Sequence, residues 1–356
     1  MGLNFPNPLV GAVVVSNGEI VGEGFYRGPG TNHAEVEALS RAGERAEGAT
    51  IYLNLEPCCH YGMTPPCVDK ITSAGVSRVV FSLYDPDARV QGHGAEILRE
   101  RGIDVTVGVE AGEAFELNIP YLYSRLSDRP FVVVKLASTI DGKIGLGERK
   151  YMTLEETRRF VHRLRAWTES IAVGMGTFRS DLPKLDRRLF GGKVGPPVRI
   201  LFDYHCTFPP DHEWLKRAER VVLLCGENAD GQSVRRLRDA GAEVIGVKGR
   251  EGFLDIEEAL EKLHAIGLTS ILVEGGSRLA TSFIESGAFD RLVVCYAPFI
   301  GGTGEVDMYR DKASPGWQED EPLKLKRVER FDDDACLVYD RKVLDTYFKM
   351  VSKGEF

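Results

Sequence analysis

The sequence lacks both a long hydrophobic run and an export signal. No window of the 356 residues contains eighteen consecutive apolar residues, which argues against a membrane-spanning helix. Residues 1–18 have neither the basic start nor the apolar core of a signal peptide. We therefore expect a cytoplasmic protein with no membrane partner.

The sequence also lacks an excess of positive charge. It has 45 Lys and Arg residues against 53 Asp and Glu residues, which gives a formal net charge of −8. A protein that coats nucleic acid neutralises phosphates with surplus basic residues. We therefore expect no nucleic-acid partner, and an anionic substrate must meet a local group of basic side chains.

Cysteine is scarce, and internal repeats and low-complexity segments are lacking. Seven cysteines in a chain without an export signal argue against a disulfide framework and favour metal or thiol chemistry. Three of them, Cys58, Cys59 and Cys67, lie within ten residues.

With 43% hydrophobic and 28% charged residues the composition is that of a globular protein, and the length predicts two domains.

What the chain does contain is an alternation of β-branched apolar runs with amphipathic segments, which is typical of an α/β fold. Asn17-Gly18 between two apolar runs predicts a hairpin. Turn formers at 127–130 predict a boundary between a first domain at 1–126 and a second at 130–347. The predicted strands are 9–15, 19–24, 51–55, 78–82, 103–109, 131–136, 170–173, 198–202, 220–224, 243–247, 270–273, 291–295 and two more within 323–343, and the predicted helices of the first domain are 33–42, 66–74 and 94–101.

Two segments of the first domain combine zinc-ligand residue types with a potential base. They are residues 33–35 (HAE) and residues 56–67 (EPCCHYGMTPPC). His33, Cys58 and Cys67 would fill three positions of a tetrahedral zinc site and leave the fourth for water. Glu35, two residues after His33, could reach that water and transfer its proton. The pattern is similar to the H-x-E and P-C-x-x-C signature of zinc deaminases, although eight residues separate the two cysteines here.

Other interpretations of these residues remain open. A His-Ala-Glu tripeptide arises by chance, and Cys58 and Cys67 could be inert core thiols. Cys59 and His60 are alternative ligands, although the Pro57-Cys58 pair favours Cys58. A purely structural zinc would need a fourth protein ligand, such as Cys59 or His60.

The second half has no G-x-G-x-x-G sequence in the position of a dinucleotide-binding turn. Residues 273–277 (VEGGS) instead form a strand end with two glycines before a predicted helix, and residues 174–177 (GMGT) form a second such turn. Backbone N–H groups at these turns can bind a phosphate. Glycine pairs alone are more often plain turn geometry.

Taken together, these motifs resemble the RibD family of bifunctional deaminase-reductases of riboflavin biosynthesis over nearly the whole chain. Residues 6–15 (PNPLVGAVVV) are similar to the opening strand of the family, residues 56–67 to its E-P-C-S-H-x-G-(K/R)-T-P-P-C motif, and residues 135–143 (KLASTIDGK) to the first strand of its reductase half. The resemblance implies a cytidine-deaminase-like zinc domain followed by a dihydrofolate-reductase-like domain. It also implies Zn²⁺ and NADPH as cofactors.

The resemblance further implies a set of functional residues. In the first domain it makes His33, Cys58 and Cys67 the zinc ligands, Glu35 the proton carrier and Asn7 a contact to the pyrimidine ring. In the second domain the implied NADPH contacts are Ala137, Tyr151, Thr177, Asp181, Gly276, Ser277, Arg278, Leu279, Ala280, Thr281 and Ser282. The implied substrate contacts there are Lys135, Arg149, Arg165, Leu185, Arg188 and Glu274. Two of these, Arg165 and Arg188, are suited to bidentate phosphate binding.

The sequence departs from the family pattern at several positions. Cys59 replaces a serine, Met63 replaces a basic residue, and the chain opens almost at the first strand, so that we expect the helix preceding that strand in the family to be missing. In the second domain Arg149 replaces a small hydroxyl residue, Tyr151 a tryptophan, and Leu182 interrupts an Asp-Asp-Pro sequence.

The resemblance predicts two reactions on a phosphoribosyl pyrimidine, in a homo-oligomer. The first is zinc-dependent hydrolytic deamination of 2,5-diamino-6-(5-phosphoribosylamino)pyrimidin-4(3H)-one. The second is NADPH-dependent reduction of the ribosyl group of 5-amino-6-(5-phosphoribosylamino)uracil. An alternative keeps the deaminase and gives the C-terminal half a degenerate or purely binding role, because of the departures at Arg149, Tyr151 and Leu182.

Overall fold

The computed structural model describes residues 5–62, 64–144, 151–190, 195–217, 219–303, 306–309 and 323–356. It divides into two compact units. The first extends to Ser127 and also contains Asp345–Phe356, and the second is Asp128–Leu344. The second unit thus ends three residues before the predicted limit at 347, because a C-terminal helix that the sequence did not predict packs on the first unit.

The first unit contains a five-stranded mixed sheet. The strand order is β2-β1-β3-β4-β5, with β1 antiparallel to β2 and β3, and with β3, β4 and β5 parallel. The elements are β1 (Gly11–Ser16), β2 (Glu19–Phe25), α1 (Ala34–Ala42), β3 (Thr50–Leu53), α2 (Cys67–Ser73), β4 (Arg78–Phe81), α3 (His93–Glu100), β5 (Asp104–Val107) and α4 (Ala111–Leu126), with a 3₁₀ turn at Gly43–Ala46. The hairpin prediction is confirmed: Asn17 and Gly18 connect β1 to β2, and both have positive φ, at 52° and 81°.

Close packing of α1 on β2 sets the position of the first site. A Cβ atom at Gly22 would lie 2.1 Å from the carbonyl oxygen of Ala38, and one at Gly24 would lie 2.2 Å from that of Ala34. Both positions therefore need glycine, because any side chain would push the helix off the strand. The N-terminal end of α1 is held against the sheet as a result.

The C-terminal helix α11 (Val343–Lys353) packs on the first unit through aromatic side chains. The ring of Phe348 lies 5.3 Å from that of Phe115, and the ring of Tyr347 lies 5.1 Å from that of Tyr123. These edge-on ring pairs connect α11 to α4. Neither α4 nor α11 was predicted from the sequence.

The second unit contains a nine-stranded sheet in the order β11-β10-β9-β8-β14-β6-β15-β18-β17. In this order the first seven strands, from β11 at the edge through to β15, are parallel to one another. The strand β18 is antiparallel to both β15 and β17. The elements are β6 (Phe131–Thr139), β7 (Lys143–Ile144), α5 (Glu155–Trp167), β8 (Ser170–Gly174), α6 (Met175–Asp181), β9 (Val198–Phe202), α7 (Glu213–Lys216), β10 (Val221–Gly226), α8 (Gly231–Asp239), β11 (Glu243–Val247), β12 (Gly249–Arg250), β13 (Phe253–Leu254), α9 (Ile256–Ala265), β14 (Ser270–Val273), α10 (Ser277–Glu285), β15 (Arg291–Ala297), β16 (Val306–Asp307), β17 (Lys324–Phe331) and β18 (Asp334–Asp340), with a 3₁₀ turn at Arg188–Phe190.

Both faces of the parallel part of this sheet are buried. Along β9, Ile200 and Phe202 belong to one apolar cluster and Leu201 belongs to another. Successive side chains of a strand point to opposite faces, so the parallel part of the sheet is covered on both sides. Its strands therefore appear in the sequence as continuous apolar runs, and their carboxyl ends are left as the accessible edge.

The sequence argued against a disulfide framework, and the structure corrects this expectation at one pair of cysteines. Cys295 on β15 forms a disulfide with Cys336 on β18, whereas the other five cysteines are free. The two residues are direct partners in the antiparallel register, with Cα atoms 4.0 Å apart. A separation of 41 residues in the sequence does not reveal this pairing. No helix among the described residues is long and apolar enough to cross a bilayer.

Candidate active sites

Three potential zinc ligands meet at one point in the first unit. Nδ1 of His33 lies 3.2 Å from Sγ of Cys67 and 3.6 Å from Sγ of Cys58. The ligand atoms of the three residues all lie within 4.8 Å of one another. One imidazole and two thiols form a donor set that zinc prefers. The structure thus brings together the three residues that the sequence predicted as ligands.

Two of these residues lie at the start of a helix, and the third lies in a loop. His33 is the N-cap of α1, in an extended conformation, and Cys67 is the first residue of α2 after Pro66. Cys58 lies in the loop that follows β3, and its Sγ accepts a hydrogen bond of 3.4 Å from the backbone N–H of Cys67. The backbone at the start of α2 therefore helps to orient the sulfur of Cys58.

The two thiol groups of this site shift each other's pKa in opposite directions. The hydrogen bond between the Cys67 and Cys58 side chains lowers the pKa of the Cys58 thiol and raises that of the Cys67 thiol. A lowered pKa favours the thiolate, which is the form that binds a metal ion. The hydrogen bond between Cys58 and His33 raises the pKa of His33.

Glu35 lies in the first turn of α1, beside this group but not within it. Its side chain is only 3% exposed, and burial raises its pKa, with a further increase from the negative charge of Cys58. A raised pKa makes a carboxyl group a stronger base, which suits a group that takes up a proton. This placement is what the proton-transfer role requires.

The structure gives no support to a closed zinc site. Among the residues it describes, the ligand group contains His33, Cys58 and Cys67 but neither Cys59 nor His60. The thiol of Cys59 instead donates to the carbonyl oxygen of Arg89, at 3.3 Å. Three protein ligands with a fourth position left over are typical of catalytic zinc, whereas structural zinc has four.

Asn7 lies on a fixed segment beside the ligand group. Its Nδ2 donates to the hydroxyl of Tyr26 at 3.3 Å, and the Tyr26 ring packs edge-on against the ring of His33 at 5.5 Å. The backbone N–H of Leu9 donates to Oδ1 of Asn118 (2.8 Å), and its carbonyl accepts from Nδ2 of Asn118 (3.0 Å). Asn118 on α4 thus anchors the segment. The contact between Asn7 and the pyrimidine stays a prediction.

The second unit contains a cavity of about 990 Å³ at the carboxyl ends of its parallel strands. Its walls come from the segments after β8, β9 and β14 and from the second half of β6. This edge of a parallel sheet is where nucleotide cofactors commonly bind. The predicted residues that line the cavity are Lys135, Ala137, Thr177, Asp181, Glu274, Gly276, Ser277, Arg278, Leu279 and Ser282.

The two glycine turns that the sequence predicted as phosphate sites are joined in this cavity. The backbone N–H of Gly276 donates to Oγ1 of Thr177 at 2.8 Å. A Cβ atom at Gly275 would lie 2.9 Å from Cβ of Leu279, so a side chain does not fit there. Within the described residues α10 has no side-chain N-cap, which leaves N–H groups of its first turn for a phosphate. The turn and the cavity therefore fit a dinucleotide.

Buried charges lie beside the cavity. Arg165 donates to both carboxylate oxygens of Glu274, at 2.6 and 2.7 Å. Lys135 is partly buried, and its desolvation lowers its pKa, while the charge of Glu274 acts in the opposite direction. In this structure the guanidinium of Arg165 is engaged by Glu274. The predicted contact of Arg165 with a substrate phosphate stays a prediction.

Three other predicted residues are directed into the protein core. Leu185 is 2% exposed and packs in the apolar cluster that contains Phe178 and Trp214. Ala280 and Thr281 are buried and are not among the described residues that line the cavity. Because a helix turns once every 3.6 residues, the side chains of the run 276–282 point in different directions. The contacts of Leu185 with the substrate and of Ala280 and Thr281 with NADPH stay predictions.

The remaining predicted residues lie outside the cavity or outside the described residues. Arg188 forms an exposed ion pair of 2.7 Å with Asp186. The ring of Tyr151 is half-exposed and lies 4.4 Å from the guanidinium carbon of Arg158. Arg149 and Met63 are outside the described residues. The functional roles of all these side chains stay predictions.

The cavity also has lining residues that the sequence did not predict. They include Arg179, His205, Thr207 and Phe253. Arg179 donates to Oγ1 of Thr207 at 2.8 Å, across the space between α6 and the segment after β9. The sequence could have indicated these residues by their positions after predicted strands, because residues that follow neighbouring parallel strands meet at one edge of the sheet.

Comparison with known proteins agrees with this two-site arrangement. Residues 2–83 match the family described as "Cytidine and deoxycytidylate deaminase zinc-binding region", and residues 130–337 match the "RibD C-terminal domain". The chain is 38% identical over 342 residues to the riboflavin biosynthesis protein RibD of Aquifex aeolicus, covering 96% of this chain and 94% of that protein. It is 35% identical to RibD of Escherichia coli, covering 93% of each chain.

Solved structures show the same relationship. Acinetobacter baumannii RibD superimposes with a TM-score of 0.84 and 30% identity, covering 95% of this chain and 94% of that one. A Thermotoga maritima deaminase/reductase superimposes with a TM-score of 0.80 and 32% identity, covering 96% and 93%. The deaminase-type ligand group and the reductase-type cavity thus occur together in one chain. The chain belongs to the RibD family, the bifunctional deaminase-reductases of riboflavin biosynthesis.

Proposed function

We propose that the first unit deaminates 2,5-diamino-6-(5-phosphoribosylamino)pyrimidin-4(3H)-one and that the second reduces 5-amino-6-(5-phosphoribosylamino)uracil with NADPH. The Thermotoga maritima relative bears the name of a diaminohydroxyphosphoribosylaminopyrimidine deaminase and 5-amino-6-(5-phosphoribosylamino)uracil reductase. The single observation that carries the proposal is the group of His33, Cys58 and Cys67 with the buried Glu35 beside it, in one chain with the glycine-lined cavity.

In the deaminase reaction water adds to C2, the bond from C2 to the exocyclic nitrogen breaks, and ammonia leaves. Zinc, when bound by His33, Cys58 and Cys67, supplies a Lewis acid that makes water nucleophilic at neutral pH. Glu35 takes the proton from the water and passes it to the departing amine. Its burial keeps the proton within the site during this transfer. Asn7 orients the pyrimidine ring.

In the reductase reaction a hydride adds to C1′ of the open ribosyl group and the attached nitrogen takes a proton. NADPH, when bound, supplies the hydride, so the task of the chain is to position cofactor and substrate. Thr177 and Gly276 hold the cofactor at the glycine turn, as their direct hydrogen bond supports. Lys135 and Glu274 line the same cavity and contact the substrate.

We also propose that the enzyme acts in the cytoplasm as a homo-oligomer, on a small phosphorylated substrate and without nucleic acid. NADPH and phosphoribosyl compounds are supplied inside the cell, which supports the compartment. Light scattering of the purified protein would give its subunit number. A monomer at the concentrations used for the assay would contradict the oligomer.

Removing zinc tests the assignment of the two reactions to the two units. We expect ammonia release to fall in proportion to the zinc content as a chelator removes the metal, because its three ligands lie in the first unit. NADPH oxidation with the deaminated intermediate should stay unchanged, because the cavity is lined by residues of the second unit. Zinc content by atomic absorption, ammonia and NADPH absorbance are measured on the same samples. Equal loss of both activities would contradict the assignment.

A further inference from the structure

A buried carboxylate directly precedes the metal-ligand segment and has no role in the reactions described above. Glu56 is 4% exposed and lies two residues before Cys58. Its Oε2 accepts hydrogen bonds from the backbone N–H groups of Gly92 (2.9 Å) and Asp85 (3.3 Å). Its Oε1 accepts from the N–H of Ala95, at 2.9 Å. Backbone donors of one loop and of the first turn of α3 thus surround the carboxylate.

The backbone next to Glu56 is held just as closely. The N–H of Glu56 donates to the carbonyl oxygen of Leu83, at 2.8 Å. A Cβ atom at Gly94 would lie 2.4 Å from the carbonyl oxygen of Pro57 and 3.1 Å from Oε1 of Glu56. The start of α3 therefore lies directly against the carbonyl group of Pro57, in the peptide that leads to Cys58, and only glycine at position 94 permits this.

These contacts lead directly to a metal ligand. The carbonyl oxygen of Cys58 accepts from the N–H of Val68 at 3.2 Å, and its Sγ accepts from the N–H of Cys67. Cys58 is thus tied to α2 on its C-terminal side, while Glu56 ties the same short segment to α3 on its N-terminal side. Glu56 is not itself one of the grouped ligands.

We propose that Glu56 is a positioning residue of the deaminase site: its hydrogen bonds to the start of α3 fix the segment through Cys58 so that the sulfur faces His33 and Cys67. The inference rests on the proposed function only in taking these three residues as zinc ligands. Outer groups that orient a ligand set both metal affinity and coordination geometry. A carboxylate with several acceptor sites suits this task, because one side chain can hold three backbone N–H groups.

The Glu56→Gln variant of the full-length chain tests the proposal. The glutamine keeps the shape but turns an NH₂ group toward backbone donors. We expect roughly a 10–100-fold loss of zinc affinity, measured by competition with a chromophoric chelator, in line with losses at other groups that orient ligands. In the cobalt-substituted protein we expect a weaker thiolate-to-cobalt absorption band and altered ligand-field bands. The kcat of ammonia release should fall, and the rate of NADPH oxidation should be unchanged.

Asp87→Asn is the matched control. Asp87 is a buried carboxylate of the same loop, but it accepts from Arg89 and, within the part of the chain that the structure describes, not from the Cys58 segment. We expect its cobalt spectrum and zinc affinity to match those of the wild type. Gly94→Ala is a second test, because its methyl group would lie 2.4 Å from the carbonyl oxygen of Pro57 and 3.1 Å from Oε1 of Glu56 and would push the segment away from α3. It should reproduce the Glu56→Gln spectrum, and it decides the question if circular dichroism shows that Glu56→Gln is unfolded.

The outcomes separate this inference from the proposed function. Wild-type zinc affinity and cobalt spectra in Glu56→Gln, with only a lower melting temperature, would overturn the positioning role and leave the proposed function intact. A wild-type chain that binds no zinc through His33, Cys58 and Cys67 would instead overturn the proposed function. A Gly94→Ala protein with unaltered metal spectra would also contradict the positioning role.

Discussion

Replacing Glu35 with glutamine should abolish ammonia release while zinc content and NADPH oxidation stay at the wild-type level. Glutamine has nearly the same size but cannot take up a proton, and positioned proton transfer typically contributes about 10²–10⁴-fold to the rate. Glu35 is buried and lies outside the group of three ligands, so the metal should remain bound. The measurement is the steady-state rate of ammonia release together with the zinc content of each preparation.

Glu37→Gln provides the matched control on the same helix. Glu37 forms an ion pair with Arg27 at the surface, at 3.3 Å, and such pairs contribute at most about 1 kcal/mol. Both activities should therefore survive this change. Deaminase activity in Glu35→Gln within tenfold of the wild-type rate, with zinc bound, would show that another group transfers the proton.

Replacing Glu274 with glutamine should cause the largest loss in the second unit. The change removes the charge that pairs with Arg165, and Arg165 and Lys135 would remain buried beside it. Breaking a buried ion pair by removing one partner costs about 3–5 kcal/mol. We expect NADPH oxidation to be lost and the free energy of unfolding of this unit to fall by about that amount. Ammonia release should persist, because the zinc-ligand group belongs to the first unit.

Glu169→Gln separates the loss of stability from the loss of function. Glu169 is a partly buried carboxyl of the same unit whose Oε2 accepts from the N–H and the hydroxyl of Thr269, at 2.8 and 2.9 Å. Among the described residues it does not line the cavity. Chemical denaturation and NADPH oxidation are compared for the two variants. Normal reductase turnover in Glu274→Gln would contradict a role for Glu274 in the site.

The zinc site could be predicted from the sequence because its chemistry depends on local segments. Two short motifs contain His33, Cys58 and Cys67, and the prolines at 65 and 66 indicate the start of the helix that opens with Cys67. The tie from Glu56 to α3 could not be predicted in this way. Its partners lie 29 to 39 residues away and are backbone groups, which have no signature in the sequence.

The second unit was predictable as an alternation of strands and helices, but the contacts of its side chains were not. The pairing of Arg165 with Glu274 spans 109 residues, and the pairing of Cys295 with Cys336 depends on the strand register. Leu185 illustrates the same limit, because the sequence did not show that its side chain is buried, and its contact with the substrate stays a prediction. Packing decides which of two faces a side chain occupies, and a linear motif contains little information about that choice.

The stoichiometry of the complete reaction tests the account most directly. Zinc-loaded, full-length protein is given the diaminopyrimidine substrate and NADPH, and ammonia release and NADPH loss are followed together. The account predicts one ammonia released and one NADPH oxidised for each substrate consumed, with ammonia appearing first. Ammonia release without any NADPH oxidation, in protein whose second unit is folded, would contradict the claim that this chain performs both reactions.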